Sequence, residues 1–162
     1  MKRCPECRRD YYDDSLIYCL EDGVALVQGS FVPVYYSLGF SYLKTGQIDK
    51  AIAAFEKGTS LGSDTYGVAC LGYAYAKNGN RAEAARIIAS LEKDYGAGKA
   101  SAEDIAIVFG ALGDNDRAFE WLEKSFEARE VGLMTMKWEP ALQPLANDPR
   151  FSNLLRRMGL SG

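Results

Sequence analysis

From residue 32 onward, apolar side chains recur with the spacing of helices. Ile48, Ala51, Ile52 and Phe55 fall at i, i+3, i+4 and i+7, one face of an α-helix. Trp121, Leu122, Ser125 and Phe126 form a comparable face further on. The pattern also repeats over a longer period. "YYSLGFSYLKTGQIDKAIAAFEKG", "GVACLGYAYAKNGNRAEAARIIASL" and "EDIAIVFGALGDNDRAFEWLEKSF" align with Leu38, Leu71 and Ile105 in register, offset by 33 and 34 residues. Tyr42, Tyr75 and Phe109 keep the same offsets, as do Gly46, Gly79 and Gly113, and Ala51, Ala84 and Ala118. Each stretch predicts two helices joined by a turn. The glycines at 46, 79 and 113 stand where a left-handed residue ends the first helix. Asn80 and Asp114 stand where a side chain would cap the second. Gly39 and Gly72 predict close approach of the two helices, and Ala106 takes that place in the third stretch.

Self-similarity at this period, with a helix-turn-helix in each unit, resembles the tetratricopeptide repeat, over about residues 32–130. The resemblance implies an all-α fold: a right-handed superhelix of three helix-turn-helix repeats with C-terminal capping helices. It also implies that the first helix of each pair lines a concave peptide-binding groove. Carried over by repeat position, that groove comprises Tyr36, Phe40 and Lys44, then Tyr66, Tyr73 and Lys77, then Asp104 and Ile107. An aromatic face with two lysines in register suits a peptide with apolar anchors and an acidic group. The alternative is that these aromatics only pack on neighbouring helices or on the chain's own N-terminal segment. An array of three repeats needs a cap at its open end, and residues 131–162 are suited to it. Asp148-Pro149 reads as an N-cap followed by proline at the first helical position. Phe151, Leu154 and Leu155 supply an apolar face, and Trp138, Leu142 and Leu145 are expected beneath it.

The first 26 residues follow neither pattern. "MKRCPECRRDYYDDSLIYCLEDG" carries Cys4-Pro5-Glu6-Cys7 and then Cys19-Leu20-Glu21-Asp22-Gly23. Zinc takes four ligands in a tetrahedron, usually delivered as two turns of two. The second turn keeps that spacing with a carboxylate in place of the fourth thiolate. The candidate ligands are Cys4, Cys7, Cys19 and Asp22, with Glu21, Asp13 or a water as alternatives to Asp22. A segment this short cannot bury enough apolar surface to fold alone, so a metal staple is physically motivated. The segment resembles the short zinc ribbons at the N-termini of many bacterial multidomain proteins, which implies a small β-hairpin around structural zinc. "YYDDSLIY" suits the strands and turn of that hairpin. Residues 27–31 form a short connector. Because "GVALVQGSFVPV" is mostly apolar, it favours a docked ribbon over a swinging one.

Composition narrows the function. The chain has 162 residues, 48% of them apolar, a net charge of -3 and no histidine. The missing histidine removes the commonest general base and every Ser-His or Cys-His nucleophile pair. No phosphate-binding loop or serine nucleophile elbow is present, and Glu120, Glu123 and Glu127 read as a solvated helix face. No catalytic residue and no cofactor beyond zinc is expected. Lys2, Arg3, Arg8 and Arg9 tempt a nucleic-acid reading, but Glu6, Asp10, Asp13, Asp14, Glu21 and Asp22 outnumber them. No apolar run is long enough to span a bilayer and no secretory signal is evident, so a cytoplasmic setting with reduced thiols is expected. The expectation is a non-enzymatic protein- or peptide-binding adaptor. Its rivals are a nucleic-acid-associated factor that uses the ribbon as contact surface, and a self-associating structural module.

Overall fold

Helix α1 (Val32–Lys44) turns back on α2 (Ile48–Leu61), and the pairing repeats in α3 (Thr65–Lys77) with α4 (Arg81–Gly96) and α5 (Ala102–Ala111) with α6 (Asn115–Glu127). The computed structural model describes residues 2–3, 6–11, 18–23, 27–28, 32–62 and 64–160. By internal contacts the chain divides into two units, Met1–Phe31 and Val32–Gly162.

In the helical unit, each first helix ends the same way. Gly46, Gly79 and Gly113 adopt φ of +72°, +76° and +78°. The following amides, Gln47, Asn80 and Asp114, donate back to the carbonyls of Tyr42, Tyr75 and Phe109 at 2.9, 2.9 and 3.0 Å. This bond satisfies carbonyls that the helix end leaves free. The next helix then starts on a side-chain cap. Asn80 Oδ1 accepts from Glu83 N, and Asp114 Oδ1 accepts from Arg117 N. Helix α2 starts at Gln47 without a side-chain cap. Close approach within a pair depends on the missing Cβ at residue 39: one built there would overlap the Phe55 ring from α2.

Helix α3 packs on α2, α4 and α5. Helix α5 is the most enclosed element, with every residue from Ala102 to Gly110 buried. The second 3-10 helix of the C-terminal segment, Pro140–Leu145, lies against it. That segment also contains a 3-10 helix at Val131–Thr135 and helix α7 (Pro149–Arg157). Asp148 caps α7 through Arg150 N, with Pro149 in the first turn. Leu142, Leu145, Phe151 and Leu154 are buried as their pattern predicts. Trp138 is not: it is 65% exposed. Its ring instead lines a surface cavity with Pro140 and Gln143, while the neighbouring Leu133, Met136 and Leu142 are the buried residues of this segment.

In the N-terminal unit, β1 (Lys2–Arg3) pairs antiparallel with both β2 (Asp10–Tyr11) and β3 (Val27–Gln28). Strands β1 and β2 therefore flank the first cysteine turn, and β2 lies at the start of the stretch between Cys7 and Cys19. Residues 12–17, where the hairpin turn was expected, lie outside the described residues, as do residues 24–26 at the end of the segment and residues 29–31 of the connector. No helix among the described residues is long and apolar enough to cross a membrane.

Candidate functional site

The N-terminal unit brings Cys7, Cys19 and Asp22 together, with their ligand atoms all within 4.8 Å of one another. Cys7 Sγ and Cys19 Sγ are 3.6 Å apart. Two thiolates bound tetrahedrally at a metal–sulfur distance of 2.3 Å would be about 3.8 Å apart, so the pair already has the required separation. The amide of Glu21 donates to Cys19 Sγ at 3.4 Å and so holds the second turn around its sulfur. The two turns match in backbone conformation as well. Arg8 follows Cys7 with φ +60°, and Gly23 follows Asp22 with φ +71°. Asp22 thus occupies the place in the second turn that Cys7 occupies in the first. Arg9 and Glu21 form an ion pair across the two turns. This cluster can hold a metal ion. Cys4 and Asp13 lie outside the described residues.

The second site is a trough on the helical unit, formed by two adjoining cavities of about 400 and 650 Å³. Six of the eight residues assigned to the groove line it: Tyr36, Phe40, Lys44 and Tyr66 around the first cavity, and Phe40, Lys44, Tyr73 and Lys77 around the second. Its floor is a run of edge-to-face rings. Tyr36 meets Tyr66 at 5.6 Å between centroids, and Phe40 meets Tyr73 at 5.9 Å. The Lys77 ammonium lies 5.4 Å from the centre of the Tyr73 ring. Tyr36 donates to Asp64 Oδ2 at 2.9 Å, and Tyr66 donates to Glu139 Oε1 at 3.0 Å. Burial first pushes both phenols up, followed by Asp64 at Tyr36 and by Cys70 and Glu139 at Tyr66, so the floor stays uncharged. The ion pairs Arg117–Asp114, Arg150–Asp116 and Arg157–Glu123 of the helical unit lie elsewhere. Lys44 and Lys77 have no carboxylate partner among the described residues.

Asp104 and Ile107 do not line the trough. Both are buried, at 5% and 0% exposure, because the C-terminal segment covers the face of α5 that they were expected to present. Asp104 instead accepts from Thr65 Oγ1 at 2.7 Å and closes a capping box with Ser101 at the start of α5. In their place, the covering segment contributes Trp138, Pro140 and Gln143 as the outer wall. The sequence signal that could have found this wall is the pair Pro140 and Pro144, which rules out a regular α-helix there.

Residues 32–64, which form α1, α2 and the link to α3, match the tetratricopeptide repeat family. No curated protein and no solved structure matches the chain. The family match and the helical architecture together support a tetratricopeptide-repeat protein, a type of module that mediates protein–protein interaction.

Proposed function

We propose that this chain is a non-enzymatic adaptor whose trough takes an acidic peptide segment carrying a bulky apolar anchor. The observation that carries the reading is the placement of Lys44 and Lys77 beside one aromatic floor, with no carboxylate paired to either ammonium among the described residues. An apolar side chain would fill the space over Phe40 and Tyr73, and flanking carboxylates would meet the two lysines. The three helical pairs would follow the right-handed superhelix of tetratricopeptide arrays. The N-terminal unit would be a structural zinc ribbon held by Cys4, Cys7, Cys19 and Asp22, in a cytoplasm that keeps its thiols reduced. The sulfur separation and the matched turns support that ligand set.

Selection of a display library of short random peptides against the immobilised full chain tests this reading. Enrichment of Asp or Glu beside an aromatic or aliphatic residue is expected, and K44E/K77E should abolish it. Selection that is indifferent to those two lysines would overturn it. Binding of a nucleic-acid probe with a steep salt dependence would favour the nucleic-acid-associated alternative.

A further inference from the structure

The first turn of α5 collects four carboxylates: Glu103 and Asp104 from the helix itself, Glu130 from the segment after α6, and Glu139 from the strap between the two 3-10 helices. Three of them are held by donors. Glu130 accepts from the amide of Ala102 at 3.0 Å and from Ser125 Oγ at 2.6 Å. Asp104 accepts from Thr65 Oγ1 and from the Ser101 amide, at 2.7 and 3.2 Å. Glu139 accepts from Tyr66 Oη and the Ala141 amide, both at 3.0 Å. Glu103 differs. It is only 7% exposed, and no donor among the described residues reaches its carboxyl, whose oxygens keep a sliver of solvent contact. Its Oε2 sits directly on Gly132, where a Cβ would collide with it. The charges acting on it are Glu139, Asp104 and Glu130, all of its own sign.

We propose that Glu103 is a proton-operated latch between α5 and the C-terminal segment of residues 130–145. In its neutral form it seats against Gly132 and tolerates the surrounding carboxylates. When it ionises, a poorly solvated charge with no donor of its own faces three others, and the segment is released more often. Trp138, Pro140 and Gln143 ride on this segment, so the outer wall of the trough loosens with it. The latch itself does not depend on what the trough binds.

Burial first, and then the neighbouring carboxylates, raise Glu103 from an ordinary value near 4.5 to about 7. The folded state therefore holds the proton more tightly than the opened one. The stabilisation is fully present below the ordinary carboxylate range and is lost as pH rises through about 7. With those two values, opening of the segment should increase about tenfold between about pH 6 and about pH 8, and level off above that.

Amide hydrogen exchange of the peptide-free full chain, corrected for intrinsic rates, tests this. Residues 131–145 should open about tenfold more often at the higher pH, while α1 to α4 keep an unchanged profile. E103Q cannot ionise and should flatten the dependence, whereas E120Q, on the solvated face of α6, should leave it intact. A pH profile shared by wild type and E103Q would overturn the proposal. Should E103Q fail to fold, a carbon-13 NMR titration of the Glu103 carboxyl in the wild type decides: a midpoint near 7 supports the latch, and an ordinary carboxylate midpoint overturns it.

Discussion

Tyr66 of α3 donates its hydroxyl to Glu139 of the C-terminal strap at 3.0 Å, across 73 residues of sequence. The same carboxylate oxygen accepts from the Ala141 amide and so caps the second 3-10 helix. One oxygen thus ties the floor of the trough to its outer wall. Tyr66→Phe keeps the ring and removes the tie. The expected cost is about 1 kcal/mol, read as a fall in Tm of about 2–4 °C. An unchanged Tm would show that the wall is held by packing alone.

Helix α7 is fastened to α6 by a repeated contact. Arg150 bonds Asp116 and lies 4.4 Å over Phe119, and Arg157 makes two bonds to Glu123 and lies 4.4 Å over Phe126. Each member of the second set is seven residues beyond its counterpart in the first, so the two helices run in the same direction. Arg157→Ala should destabilise the chain modestly, since the pair is solvated and screened while the ring contact adds to it. Arg157→Lys keeps the charge but loses the fork and the stacking, and should recover less than half of that. Urea denaturation of both variants checks the ranking.

Gly39→Ala sets two effects against each other. Alanine gains up to about 1 kcal/mol of helix propensity over glycine. Its Cβ would overlap the fully buried Phe55 ring, and overpacking of a core typically costs about 1–3 kcal/mol. Net destabilisation is expected because both helices of the pair are fixed by the same contact. Chemical denaturation showing a stabilised variant would contradict the close approach of α1 and α2.

The N-terminal unit should depend on metal, and the helical unit should not. Chelation is expected to abolish hydrogen-exchange protection at residues 2–28 while far-ultraviolet dichroism keeps its helical signal, because the helices bury a core of their own. Cys7→Ser should lower zinc content in elemental analysis. Asp22→Ala should do so less severely, since a water can take the fourth position. Full protection of residues 2–28 in metal-free protein would contradict the expectation.

Arg8 offers a test of the equivalence of the two cysteine turns. Its φ of +60° lies in the left-handed region that L residues disfavour by about 1–2 kcal/mol. Arg8→Gly should relieve that strain and slow loss of metal to a chelator, followed with cobalt as a coloured replacement. Faster loss would mean that the side chain matters more than the backbone conformation.

The sequence by itself determined what depends on local spacing. Helix pairs, their glycine turns and their caps at Asn80, Asp114 and Asp148 are set by residues within one or two turns of each other, and a repeated period makes them legible. The convergence of Cys7, Cys19 and Asp22 was legible for the same reason, since metal-ligand spacing is a local constraint. Tertiary packing selected which of the expected lining residues stay open to solvent. Asp104 and Ile107 carry the repeat pattern of a lining helix, yet the strap at Pro140–Leu145 covers them. Nothing periodic marks that strap, because two prolines hold it in a 3-10 form whose register no helical pattern reports. The wall residue Trp138 and the buried Glu103 follow from the same long-range packing. Whether a charge or a ring faces water there was settled by segments more than 25 residues away in sequence, as with Glu103 on Gly132.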